Sequence, residues 1–133
     1  MLDIDVDHSE LIETRWSALK SKVVLPGNEH AFMSRTGRLP SKEDSRRRYH
    51  RYFARTKALL HVDGNTHGVY LRDLSRCGIG FLAPVQLLPR QSVELELADG
   101  RRLALQNVRC RRLGPQWYEC GATFVVPTAE AQH

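Results

Sequence analysis

The sequence predicts a mainly β fold, a six-stranded antiparallel barrel preceded by one N-terminal helix and a flexible polar arm. Three observations lead there. Apolar residues recur with period two in six short runs after Arg55, tight-turn residues separate most of those runs, and no helical pattern lies between them. A parallel sheet would need crossover helices, which this stretch lacks.

At 133 residues the chain has room for one compact domain with its own core. Residues 8 to 23 predict the helix, because Leu11, Ile12, Trp16, Leu19 and Val23 fall on one stripe. Asp7 is placed to cap its first turn, with Glu10 three residues on, and Pro26-Gly27 to end it. Residues 28 to 44 are polar, hold Gly37 and Pro40 and show no sustained period, so they predict a mobile arm, with Phe32 and Met33 tacking it to the domain surface. The resulting division is helix and arm over residues 1 to 44, barrel over 45 to 126, and a disordered tail over 127 to 133.

Within the barrel, Ala58, Leu60 and Val62 alternate with Lys57, Leu59 and His61, and Asp63-Gly64-Asn65 supplies hairpin-turn chemistry. Val69 and Leu71 mark the second strand, and Ile79 and Phe81 a third that Pro84 ends. Val93, Leu95 and Leu97 alternate with Ser92, Glu94 and Glu96 on the fourth, before Asp99-Gly100 turns the chain. On the fifth, Leu103 and Leu105 are odd but Val108 and Cys110 even, so the parity breaks near Gln106-Asn107, as a β-bulge would cause. After Gly114-Pro115, Tyr118, Cys120, Ala122 and Phe124 point one way on the last strand, and Trp117 is expected to cover the barrel end.

Composition narrows the function. No run approaches the roughly 20 apolar residues that span a bilayer, and the first residues are acidic where a secretory signal is basic, so a cytoplasmic protein with no membrane association is expected. Three cysteines cannot all pair and none has metal-ligand spacing, so reduced, buried thiols are expected, with Cys110 and Cys120 facing each other across neighbouring strands. The formal charge of +5 is concentrated: residues 46 to 57 hold five arginines and one lysine with no acid, which leaves 14 basic against 15 acidic residues elsewhere. Charge this local suggests a bound anion or a basic arm, whereas a general nucleic-acid binder spreads it over a face.

Two elements carry chemistry. The first is the arginine run entering strand one, in which Arg47 and Arg51 form Arg-x-x-x-Arg with Arg46 and Arg48 beside them. The second is Asp73-Leu74-Ser75-Arg76-Cys77-Gly78, an Asp-x-Ser-x-x-Gly element between strands two and three. In an extended chain Asp73 and Ser75 project from one face and address one ligand edge. A carboxylate only accepts hydrogen bonds, and guanine offers two adjacent donors, N1–H and N2–H, so Asp73 suits guanine and repels phosphate. The arginine fork has the opposite complement and matches the O6/N7 acceptors of guanine or two phosphate oxygens. Gly78 removes a side chain where ligand or backbone comes close. Alone, the first element reads as a solvated basic arm and the second as turn chemistry in which Asp and Ser satisfy local backbone donors. Both together, in this order and one strand pair apart, ask for a shared ligand.

The stretch RRRYHR, a hairpin and then DLSRCGIGF resembles the PilZ family, whose signature is Arg-x-x-x-Arg before the barrel and Asp/Asn-x-Ser-x-x-Gly after its second strand. Both motifs are complete, over residues 45 to 126. The resemblance implies a PilZ-like split barrel and a receptor for cyclic di-GMP in which Arg47 and Arg51 clamp phosphates and guanine Hoogsteen edges. It further implies that Asp73, Ser75 and Gly78 hold another base edge, that Arg46 and Arg48 assist, and that the arginine segment is loose until ligand arrives. No cofactor is implied. A conformational change passed to a protein partner, through the N-terminal helix or the barrel surface, is the expected output.

No catalytic constellation accompanies these motifs: Ser75 and Cys77 lack a base and an orienting acid, and no Walker-type loop is present, so an enzyme is not expected. The basic residues Arg101, Arg102, Arg109, Arg111 and Arg112 read as edge protection or solubility, with a partner surface or ligand steering as the other reading. His50 lies inside the arginine motif and either stacks on a base or is an ordinary loop residue. Two rival classes stay open: a ligand-independent adaptor, and a nucleic-acid-binding barrel, for which only Tyr49, Tyr52 and Phe53 are at hand as stacking platforms.

Overall fold

The computed structural model describes residues 4–25, 32–33 and 52–125. Helix α1 (Ile4–Ala18) precedes six strands, β1 (Tyr52–Val62), β2 (Asn65–Leu74), β3 (Gly78–Ala83), β4 (Ser92–Glu96), β5 (Arg102–Gly114) and β6 (Trp117–Phe124). All pairings are antiparallel, and the strands close into a barrel in the order β1-β2-β3-β6-β5-β4, with β4 returning to β1. The mainly β, six-stranded barrel expected from the alternation is therefore the fold.

Alternation explains the interior. Ala58, Leu60, Val69, Leu71, Ile79, Phe81, Leu95, Leu105, Cys120 and Ala122 point inward and form one buried core. The β1–β2 hairpin turns on Asp63 and Gly64, whose φ values of 51° and 78° give the primed turn that matches strand twist. Cys110 and Cys120 face each other across β5 and β6 with Sγ atoms 3.5 Å apart as free thiols.

Outside the barrel wall a second apolar cluster joins Ile12, Trp16 and Val23 to Leu59, Tyr70 and Leu82, which are the outward residues of β1, β2 and β3. Leu59 thus sits on the outward parity yet is buried, because the N-terminal segment covers it. Phe32 and Met33 pack on this cluster, as their apolar character within a polar arm suggested, and Phe32 meets the Tyr70 ring edge-on at 5.4 Å.

Several expectations need correction. The helix spans Ile4–Ala18, not residues 8 to 23, so Asp7 lies inside it and Pro26 does not end it. The chain leaves the helix because residues 21 to 23 pair with the barrel: Gly68 N–H donates to Ser21 O at 2.8 Å and Val23 N–H to Gly68 O at 2.9 Å. Gly68 permits that approach, since a β-carbon there would lie 2.9 Å from Lys22 and 3.0 Å from the Trp16 ring. The β5 parity break is a bulge between Asn107 and Arg109. It leaves Asn107 inward and buried and Val108 outside, 54% exposed, the reverse of the sequence assignment for Val108. Asn107 is held in place by its own bonds, with Nδ2 donating to Leu88 O at 2.9 Å. Because the barrel is closed, β5 is no edge, and its arginines do not protect one. Trp117 packs with the outer cluster under the N-terminal segment, and not over the barrel end.

Candidate functional site

The Asp-x-Ser-x-x-Gly element forms the β2–β3 hairpin. β2 ends at Leu74, Arg76 and Cys77 make the exposed tip, and Ser75 N–H donates to Gly78 O at 2.9 Å. Gly78 N–H donates in turn to Ser75 Oγ at 3.2 Å, so the hydroxyl closes the turn from within. Gly78 is required by backbone proximity, because a β-carbon there would lie 2.3 Å from Ala122 O on β6.

Asp73 is placed differently. It is 0% exposed, and its Oδ2 accepts from Arg72 Nε at 2.7 Å. Arg72 occupies a register shift between Leu71 and Asp73, and its other guanidinium arm pairs with Glu119 on β6. Glu119 also accepts from Arg111 at 3.0 Å, so one carboxylate links β2, β6 and β5. The bulge opposite, between Phe53 and Thr56 on β1, lets Arg55 Nε donate to Arg72 O at 3.1 Å while its guanidinium lies 4.1 Å from the Phe32 ring centre. A chain of contacts therefore runs from Asp73 through Arg72 and Arg55 to Phe32, Tyr70 and Trp16.

Across the outer wall, Asp73 pairs with Gly80, Gly80 with Gly121 and Gly121 with Arg109, one row over β2, β3, β6 and β5. The Asp73 carboxylate lies over Gly80 and the Arg109 side chain over Gly121. Sequence reasoning picked Asp73 but missed this row. Gly80 and Gly121 carry no local motif, and only the register across four strands brings them beside Arg109.

Arg46, Arg47, Arg48, Arg51 and His50 lie outside the described residues, as do the polar arm beyond Phe32 and Met33 and the tail from residue 126. The structure thus gives the positions of Asp73, Ser75 and Gly78 only. Among the described residues, no group of His, Cys, Asp and Glu is placed to hold a metal ion, and no helix is long and apolar enough to cross a membrane. An apolar cavity of about 450 Å³ adjoins the hairpin, lined by Leu71, Leu74, Ile79, Leu103 and Phe124 with Ser75 at its wall.

A family model described as PilZ domain matches residues 45–133, which contain the barrel and both motifs. The chain belongs to the PilZ domain family. Nine solved chains match this PilZ domain. One is described as the structure of the Bacillus subtilis inhibitor of motility, MotI/DgrA, with a TM-score of 0.48 and 15% identity over 71% of this chain. The PilZ chain spans about half of that protein's length, 52%. No curated protein matches it.

Proposed function

We propose that this PilZ domain is a non-enzymatic receptor for cyclic di-GMP that passes ligand binding to its N-terminal segment and thence to a protein partner. The observation that carries the proposal is Asp73, a fully buried carboxylate held over Gly80 by Arg72, in a chain whose family match also contains Arg47 and Arg51. Asp73 accepts from guanine N1–H and N2–H, while Arg47 and Arg51, with Arg46 and Arg48 beside them, supply forks for phosphate oxygens and Hoogsteen edges. Ser75 and Gly78 set the hairpin on which that base edge rests.

Burial of Asp73 makes binding a conformational event, since a ligand reaches the carboxylate only when its surroundings move. Arg72 must then share or release Asp73, and its backbone oxygen is the acceptor for Arg55, which stacks on Phe32. The N-terminal segment lies at the end of that chain of contacts, which supports it as the output element.

Titration calorimetry with cyclic di-GMP, GTP and cyclic di-AMP tests the reading. Guanine-selective binding of the cyclic dinucleotide is expected, weakened roughly 10- to 1000-fold by Arg51→Ala or Asp73→Ala. Absence of binding by a folded barrel refutes the receptor and leaves the ligand-independent adaptor. Salt-dependent binding of random oligonucleotides without the dinucleotide favours the nucleic-acid class.

A further inference from the structure

Most arginines at the start and middle of the β5 region are neutralised within the fold. Arg101 pairs with Asp99, Arg102 with Glu94 and Glu96, and Arg111 with Glu119. Arg109 is exposed and pairs with no carboxylate among the described residues. Its side chain is nonetheless placed: Nε and Cζ lie 3.4 and 3.7 Å from where a β-carbon on Gly121 would stand. Gly121 leaves the room in which that guanidinium lies against the wall.

The next strand carries Gly80, and over it lies the Asp73 carboxylate, its oxygens 2.8 and 2.9 Å from the corresponding β-carbon position. An acceptor pair reaching in from β2 and a donor fork reaching in from β5 therefore stand over neighbouring strands of one row, where two glycines add no side chain. Guanine presents the complementary sequence around its rim. Its donors N2–H and N1–H are followed at once by the acceptors O6 and N7, and an arginine fork is bidentate to the latter pair. Adenine reverses the polarity at the position of O6, where it carries a donor amine.

We propose that Arg109 is a specificity-determining residue of the site, donating to O6 and N7 of the same guanine whose N1–H and N2–H Asp73 accepts, across the Gly80–Gly121 row. This rests on the cyclic di-GMP reading above and adds a contact outside the two motifs. The base lies between strands β2 and β5, and discrimination against adenine comes from both ends of the row.

The test compares wild type, Arg109→Ala, Arg109→Lys and Arg112→Ala by calorimetry with cyclic di-GMP and cyclic di-AMP at two salt concentrations. Arg112 is an exposed β5 arginine that also pairs with no carboxylate among the described residues, so its removal makes the same change in charge. The expected result is a loss of about 10- to 100-fold in cyclic di-GMP affinity for Arg109→Ala. Partial retention by lysine, a narrowed preference for guanine over adenine and near-wild-type binding by Arg112→Ala are expected with it. Because Arg109 is exposed, unchanged melting will show that the fold is intact. Equal affinity in wild type and Arg109→Ala overturns the proposal while leaving the receptor standing. Equal losses in Arg109→Ala and Arg112→Ala, with selectivity unchanged, overturn it in favour of general electrostatic attraction. Failure of wild type to bind removes the receptor reading and this one with it.

Discussion

The Asp73 carboxylate stands over Gly80 so closely that a β-carbon on Gly80 would lie 2.8 and 2.9 Å from its two oxygens. The carboxylate cannot simply retreat, because Arg72 Nε holds Oδ2 at 2.7 Å and the residue is fully buried. Gly80→Ala is expected to displace Asp73, to cost about 1–3 kcal/mol of stability by overpacking, and to abolish ligand binding. Gly121→Ala first meets the exposed Arg109 side chain, at 3.4 Å, and is expected to be milder. Urea unfolding and calorimetry on the two variants separate these outcomes, and equal stability losses would show that Asp73 is not pinned.

Arg72 is the hub of that arrangement. It touches Asp73 and Glu119 with its guanidinium and offers its backbone oxygen to Arg55. Arg72→Ala removes a charged hydrogen bond to the fully buried Asp73 carboxylate, so it is expected to destabilise by about 1.5–3 kcal/mol. Arg111→Ala removes an exposed contact to the same Glu119 and is expected to cost under about 1 kcal/mol. Denaturant midpoints measured side by side give the ratio, and a small effect at Arg72 would count against the hub.

How much of this was legible in the chain depends on the range of the interactions. Turn residues such as Asp63-Gly64 and inward residues such as Leu60 and Phe81 report their structure locally, so the barrel followed from alternation. The end of α1 did not, because Gly68 lies far along the chain from Ser21, the residue it draws out of the helix. Val108 was misplaced for a related reason: a parity break reveals a bulge, but not which residue bulges until Asn107 finds Leu88 O. The motif residue Asp73 was visible because its neighbours in sequence form a known pattern. Arg109 became visible only when the register set it beside Gly121.

Two acid-sensitive contacts fasten the N-terminal segment. Burial lowers the pKa of His67, whose Nδ1 lies 2.7 Å from Ser21 Oγ. At Glu96 burial acts to raise the pKa, but the His61 hydrogen bond and the Arg15 and Arg102 charges outweigh it and hold the carboxyl below its usual value. Each folded-state pKa lies below its unfolded one, so each contributes stability that is present above the unfolded value and lost as pH falls through the folded one. The His67 contribution should begin to fade below about 6.5 and that of Glu96 below about 4.5. Hydrogen exchange in residues 19–25, corrected for intrinsic rates, is expected to rise on acidification in that order. His67→Gln should flatten the first step and Glu96→Gln the second, and no change in either variant would assign the sensitivity elsewhere.

Of the three cysteines, Cys77 is exposed at the hairpin tip beside the proposed site, while Cys110 is half-buried and Cys120 buried. Burial and the neighbouring Cys110 thiol push the Cys120 thiol well above the usual range, which suppresses the thiolate that reacts. A colorimetric thiol reagent is expected to modify one cysteine quickly in the native protein and all three in denaturant. Ligand should slow that fast phase if it covers the hairpin. Fast reaction of a second thiol in the native state would contradict the packing of β5 on β6.

The link from Asp73 to the N-terminal segment can be read from fluorescence, because the chain has two tryptophans and both lie in the outer cluster. Trp16 donates its indole N–H to Val69 O at 2.9 Å and meets the Tyr70 ring at 5.2 Å, and Tyr70 also receives Phe32. With Trp117→Phe leaving Trp16 as the sole reporter, cyclic di-GMP is expected to change its emission, since Arg72, Arg55, Phe32 and Tyr70 lie in series between the two places. Adding Phe32→Ala removes one step of that series while leaving Asp73 and its hairpin untouched. Calorimetric binding should then persist with the fluorescence response reduced, whereas a response of undiminished size would mean that ligand and helix communicate by another route, or that Trp16 senses the ligand directly.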